Sequence, residues 1–281
     1  MGLKLSNVPQ LFADGYVIPS EGFDVISTGN YNAVPILFGS SSQEFSTYAL
    51  SANYYDAELN SKVIKKGWSM ISLIQNAKKY GSMYQSYYYI EHNTEKFVSS
   101  GIQPPMYAYR FDWGNDNDEV SDFHAQFLGS YHGLDVNFLC GTYKNEYENY
   151  VTKLYTNDNA AGRKALTAVM QSYIGNFLRT GNPNGKGLST WNPWTTNQNM
   201  KVMVFDASED DNASYMSSMY YSRTYIDNLM QQALSDAQCK LLKNCVFAGR
   251  YFMPDDNTTS VPDDEADDIV EDPVETNNSE L

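Results

Sequence analysis

The apolar and polar positions alternate between two periods along this chain. Val34-Pro35-Ile36-Leu37-Phe38-Gly39 is a short continuous apolar run closed by glycine. That pattern predicts a strand buried on both faces, the kind that sits inside a helix-covered parallel sheet. Met106 to Trp113 is aromatic and β-favouring and predicts a second strand, and Lys201 to Phe205 a third. Helical spacing links Val63, Trp68, Ile71 and Leu73 within Glu58–Lys79, and a second aromatic helix is expected from Tyr84 to His92. The clearest helix is Ala160–Arg179, where Leu166, Val169, Met170, Tyr173, Ile174, Phe177 and Leu178 form one apolar stripe; Gly181 and Pro183 end it. A last helix is expected over Asp227–Lys243. Residues 1–33 read as loop. Strands alternating with helices predict an α/β fold. Three strands are few for so many helices, so either strands are hidden or the chain is the second half of a larger domain.

Charge changes the picture at one end. The net charge of −15 is concentrated in Pro254–Leu281, which holds eleven Asp or Glu and no Lys or Arg. The remainder carries 23 acidic against 19 basic side chains. Residues 1–253 are therefore expected to form the folded unit and 254–281 a solvated, disordered acidic tail. A mildly acidic folded part argues against nucleic acid as a partner, since phosphate contacts need a basic face. No run of about 18 apolar residues exists to cross a membrane. Sequons at Asn212, Asn257 and Asn277 permit glycosylation in a secreted chain.

Candidate chemistry centres on Gly129-Ser130-Tyr131-His132-Gly133-Leu134-Asp135, where a histidine stands on a glycine-flanked loop ahead of an apolar run. An imidazole there titrates near neutrality and can take and return a proton within one turnover. The carboxylate-dense turn Gly114–Glu119 lacks the ordered spacing of an EF-hand and reads as solvated. Three cysteines leave one unpaired in any scheme. Cys140 reads as a small core residue, and Cys239 could meet Cys245 only if the chain between them turns back. No metal or cofactor is called for.

Several stretches in order resemble the C-terminal half of the type-B carboxylesterase family, which includes the cholinesterases and non-catalytic relatives. They are Phe12–Pro19, then Val34–Gly39 followed by Glu44, then Tyr107–Trp113, then His132-Gly133-Leu134-Asp135 with Phe138–Gly141, and finally Asn176–Asn184 with Trp191 and Pro193. The resemblance runs from about residue 8 to 250. It implies an α/β-hydrolase fold, of which this chain is the C-terminal half, acting on a small-molecule ester. It also implies that Glu44 is the acid and His132 the base of a triad ordered Ser, acid, His. The family favours a secreted or extracellular location.

Two positions depart from the family pattern. Phe45 replaces a usual glycine beside the acid, where it could crowd it, and Asp135 replaces a common glutamate. A larger departure is that no Gly-x-Ser-x-Gly pentapeptide occurs in the 281 residues, nor an upstream glycine pair for an oxyanion hole. Ser40, Ser41 and Ser42 lack the elbow glycines. The nucleophile is thus expected elsewhere, with the missing N-terminal half as a partner and no activity from this chain alone. The alternative is a non-catalytic, cholinesterase-like binding or adhesion protein, or a pseudoenzyme fragment.

Overall fold

The computed structural model describes residues 13–50, 69–116, 120–143, 154–197 and 199–247. The acidic tail, the sequons at Asn257 and Asn277, and residues 58–68 of the first expected helix lie outside them.

Among the described residues a four-stranded mixed sheet forms the centre. Strands β1 (Ile36–Ser41), β2 (Met106–Phe111) and β3 (Val202–Phe205) run parallel in that order, and β4 (Tyr215–Ser217) closes antiparallel on β3. Helices α1 (Ser46–Leu50), α2 (Met70–Tyr89) and α3 (Glu91–Ser99) fall between β1 and β2. A π-turn (His124–Leu128), α4 (Leu134–Cys140) and α5 (Ala160–Thr180) fall between β2 and β3. After β4 come α6 (Arg223–Ala233), α7 (Asp236–Leu241) and a second π-turn (Leu242–Val246). Parallel neighbours require such crossovers, which is why the helices alternate with the strands.

Burial follows strand position. β2 and β3 are buried along their whole length, whereas Ile36–Gly39 of β1 are only half-buried. The expected two-sided burial of β1 is not met, because β1 is the edge of the described sheet. On one face Tyr107, Tyr109, Phe111, Met203 and Phe205 pack against Phe138, Leu166, Met170, Tyr173 and Trp191. Trp191 meets Tyr173 and Phe205 edge to face, with ring centroids 5.3 and 5.4 Å away; such pairs contribute about 0.5–1.5 kcal/mol each beyond the area they bury. On the other face Ala108 and Val202 meet Ile90 and Trp194. Phe45, Leu73, Tyr80, Tyr84, Ile226, Met230 and Phe247 form a further cluster that joins α2 to α6.

Several expectations change here. The helix expected from Tyr84 is continuous with the one before it: α2 runs 20 residues from its Ser69 cap and gives way at Ile90 to α3. The single helix expected over Asp227–Lys243 is two, because Leu234 is extended and Ser235 opens α7 with a capping box closed by Gln238. The apolar run after His132 is helix α4. Cys140 is exposed on it rather than in the core, and Cys239 is a buried free thiol.

Arg110 brings a charge into this interior. Its side chain is 3% exposed, and Glu91, at 0%, pairs with it. Arg110 Nε donates to Ser86 Oγ at 3.0 Å and Nη1 to the Met219 carbonyl at 3.2 Å. The guanidinium lies 4.3 Å from the centroid of the Tyr221 ring. Each of the three guanidinium nitrogens thus has an acceptor, and the plane of the cation lies against a π face.

Candidate active site

Glu44 and His132 come from different loops at the carboxyl ends of β1 and β2. The two loops are paired by their backbones: Gln43 and Tyr131 form a parallel bridge, and the Gln43 N–H donates to the Ser130 carbonyl at 3.1 Å. Glu44 and His132 are each the residue after that bridge, so they leave it side by side. His132 Nδ1 lies 2.5 Å from Glu44 Oε2. Glu44 Oε1 accepts the Ser41 N–H at 2.7 Å.

Exposure divides the pair. The Glu44 side chain is 6% exposed and that of His132 53%. With Nδ1–H donated to the carboxylate, Nε2 is the free acceptor of the imidazole. The hydrogen bond to Glu44 raises the His132 pKa above its ordinary value, against the opposing effect of desolvation, and the charges of Glu44 and Asp135 add to the rise. Asp135, in the first turn of α4, accepts from Tyr109 Oη at 2.8 Å. Burial raises its pKa. Tyr109 reaches it across β1: a Cβ on Gly39 would stand 2.0 Å from the Tyr109 ring, so only glycine fits there.

Glycines shape the histidine loop as well. Gly129 has φ 58° and ψ −147°, a region essentially closed to other residues, and Gly133 has φ 82°. Across Gly133 the Leu134 N–H returns to the Tyr131 carbonyl at 3.1 Å. His132 is thereby carried on a tight turn that leads into α4.

The carboxylesterase family model matches residues 74–223, more than half of the 281. This chain belongs to the carboxylesterase family. Its parallel strands and crossover helices are part of that family's α/β-hydrolase fold. Among solved structures it is similar to a thermophilic PNB esterase, at 19% identity and a TM-score of 0.43 over 70% of this chain and 39% of the other. It is also similar to the Geobacillus stearothermophilus carboxylesterase EST55, at 19% identity and a TM-score of 0.44 over 73% and 41%. The chain thus spans about 40% of the length of these esterases. None of the curated proteins compared with it matches.

As a carboxylesterase chain it departs from the family at Phe45, which does not crowd Glu44. The ring points into the α2–α6 cluster, 5.4 Å from that of Phe247, and lies where a Cβ on Gly81 would be, 2.5 Å from Phe45 Cγ. The Phe45 N–H donates to Ser82 Oγ at 3.0 Å. Ser40 and Ser41 are buried, and Ser42 Oγ is held by Asp112 at 2.5 Å and Asn115 at 2.7 Å, so none of the three presents a hydroxyl that is both accessible and unpaired.

His124 is a second histidine that its sequence position does not reveal. It is buried and donates Nε2–H to the Gly129 carbonyl at 2.9 Å; burial lowers its pKa to about 4, which keeps it neutral. That bond ties the π-turn to the start of the histidine loop. Asp206, just past β3, is also perturbed: burial, with the charges of Asp112 and Asp116, pushes its pKa up to about 6. A carboxyl whose folded pKa is raised destabilises the fold increasingly as pH climbs from 3.8 through about 6, and fully above that. Asp206→Asn can keep the bond from the Ala207 N–H. It should raise stability at pH 8 by about 2 kcal/mol, allowing for the partial exposure of Asp206, and change little at pH 4, as read by thermal melts at the two pH values.

Proposed function

We propose that this chain is the C-terminal part of a serine carboxylic ester hydrolase and supplies two of its three triad members, Glu44 as acid and His132 as base. The observation that carries the reading is the 2.5 Å contact between a buried carboxylate and Nδ1 of a half-exposed imidazole. That arrangement fixes the tautomer, stabilises imidazolium as it forms, and leaves Nε2 to do the chemistry. His132 would take the serine proton as the serine oxygen attacks the ester carbonyl. It would then return that proton to the departing alkoxide.

The nucleophile belongs to a segment outside these 281 residues, which contain no Gly-x-Ser-x-Gly. The half-buried edge of β1 is where such a segment would add its strands, since an edge left open presents unpaired backbone groups. Residues 1–253 are the unit that joins it and 254–281 the acidic tail. The substrate is a small carboxylic ester, and much of its pocket comes from the joining segment.

Complementation tests this. The chain alone should not turn over a short-chain aryl ester, and addition of the nucleophile-bearing segment should start turnover. Saturable hydrolysis by the chain alone, abolished by His132→Ala, would contradict the assignment.

A further inference from the structure

One amide side chain touches the loops of both Glu44 and His132. Asn115 lies in the turn after β2. Its Nδ2 donates to Ser42 Oγ at 2.7 Å, to the Asp112 carbonyl at 2.9 Å, and to Asp112 Oδ1. Its Oδ1 accepts the Ser130 N–H at 3.0 Å. Ser42 stands two residues before Glu44, and Ser130 stands two before His132. A single planar group therefore spans equivalent positions in the two loops.

The surroundings are built to the same plan. The Phe111 carbonyl, the last of β2, accepts the Ser42 N–H at 2.9 Å and Ser130 Oγ–H at 2.5 Å, again one donor from each loop. Asp112 Oδ1 accepts Ser42 Oγ–H. A Cβ on Gly129 would stand 2.3 Å from Asn115 Oδ1, so the glycine next to Ser130 leaves the room this amide occupies. A solvated turn needs none of these constraints.

We infer that Asn115 is a positioning residue that sets the register between the acid loop and the histidine loop, and so the contact between Glu44 and His132. The inference rests on the reading of that pair as acid and base. An amide suits the position because it gives a donor to one loop and an acceptor to the other from a rigid plane. Neither Asp nor Leu does both. Asn115 touches no reacting atom and acts through the loops it joins.

The test reads the pair itself by proton NMR of the full chain: the downfield Nδ1–H resonance of His132 and the titration of its imidazole, on which the charges of Glu44 and Asp135 act. Asn115→Leu should abolish the slowly exchanging resonance and move the titration down toward that of an ordinary imidazole. Ser42→Ala, which cuts only the acid-side arm, should weaken the resonance and move the titration part of the way. A resonance and titration unchanged in Asn115→Leu overturn the inference. If that variant does not fold, an unchanged Ser42→Ala does the same. A native chain without the downfield resonance overturns the inference and the acid–base reading together. A native resonance with ester hydrolysis indifferent to His132 removes only the functional reading.

Discussion

With His132 as the proposed base, His132→Ala in the chain joined to a nucleophile-bearing segment should lower kcat/KM for a short-chain aryl ester by roughly 10⁵- to 10⁶-fold. Glu44→Gln should lower it by about 10⁴-fold, because the amide offers the wrong hydrogen-bond partner to Nδ1 and no charge to balance imidazolium. The two losses should not add, since each residue works only through the other. The pH dependence has a definite sign. As the proposed base His132 must be neutral to act, so the acid limb of kcat/KM should have its midpoint above 6.5, the ordinary imidazole value. The contribution of the charged pair to stability runs the opposite way: it is fully present below 6.5 and lost as pH rises through the raised folded value. A midpoint at or below 6.5, or a His132→Ala variant within tenfold of the parent, would contradict this account.

Glu91→Ala should cost about 3–5 kcal/mol of folding stability, read from urea unfolding midpoints, because it strands a guanidinium in the interior. Arg110 is 3% exposed, and the bonds it keeps, to Ser86 and the Met219 carbonyl, are to neutral groups. Glu91 also accepts the Tyr221 N–H at 3.1 Å, so its loss unties the segment after β4 as well. The double replacement Arg110→Met with Glu91→Leu should recover most of the loss, since apolar groups of similar size often match a buried ion pair. A Glu91→Ala variant within about 1 kcal/mol of the parent would contradict this, because only a solvent-screened pair costs so little to break.

The elements that could be read in the sequence are those whose own residues carry the signal. β2 and β3 are rich in aromatic and β-favouring residues and buried along their whole length, and α5 has an apolar stripe buried at Leu166, Met170 and Tyr173 and a left-handed Gly181 at its end, with φ 73°. β4 was not legible because Tyr215–Ser217 is three residues long and its pairing with β3 is its main reason to be a strand. The break at Leu234 was written in Ser235 and Gln238, but the apolar spacing on either side masks it. Gly81 and Ser82 within α2 look like a helix boundary; they are small because the Phe45 ring and backbone lie against them.

The candidate site divides in the same way. Glu44 and His132 stand in motifs a few residues long, and the structure brings those two residues together. What aligns them is nonlocal. Asn115 sits in a stretch that reads as a solvated carboxylate turn, 73 residues from Ser42 and 15 from Ser130, and neither separation leaves a periodic mark. Phe45 shows the converse: a bulky residue beside Glu44 suggests crowding, and the side chain turns into the core instead.

The measurement that tests the central claim most directly is labelling of the isolated chain with a fluorophosphonate, mapped by peptide mass. If the chain holds acid and base but no nucleophile, residues 1–281 remain unmodified at concentrations that label a carboxylesterase to completion. Stoichiometric label on Ser40, Ser41 or Ser42, lost in His132→Ala, would show that the nucleophile lies within this chain and that the account is wrong.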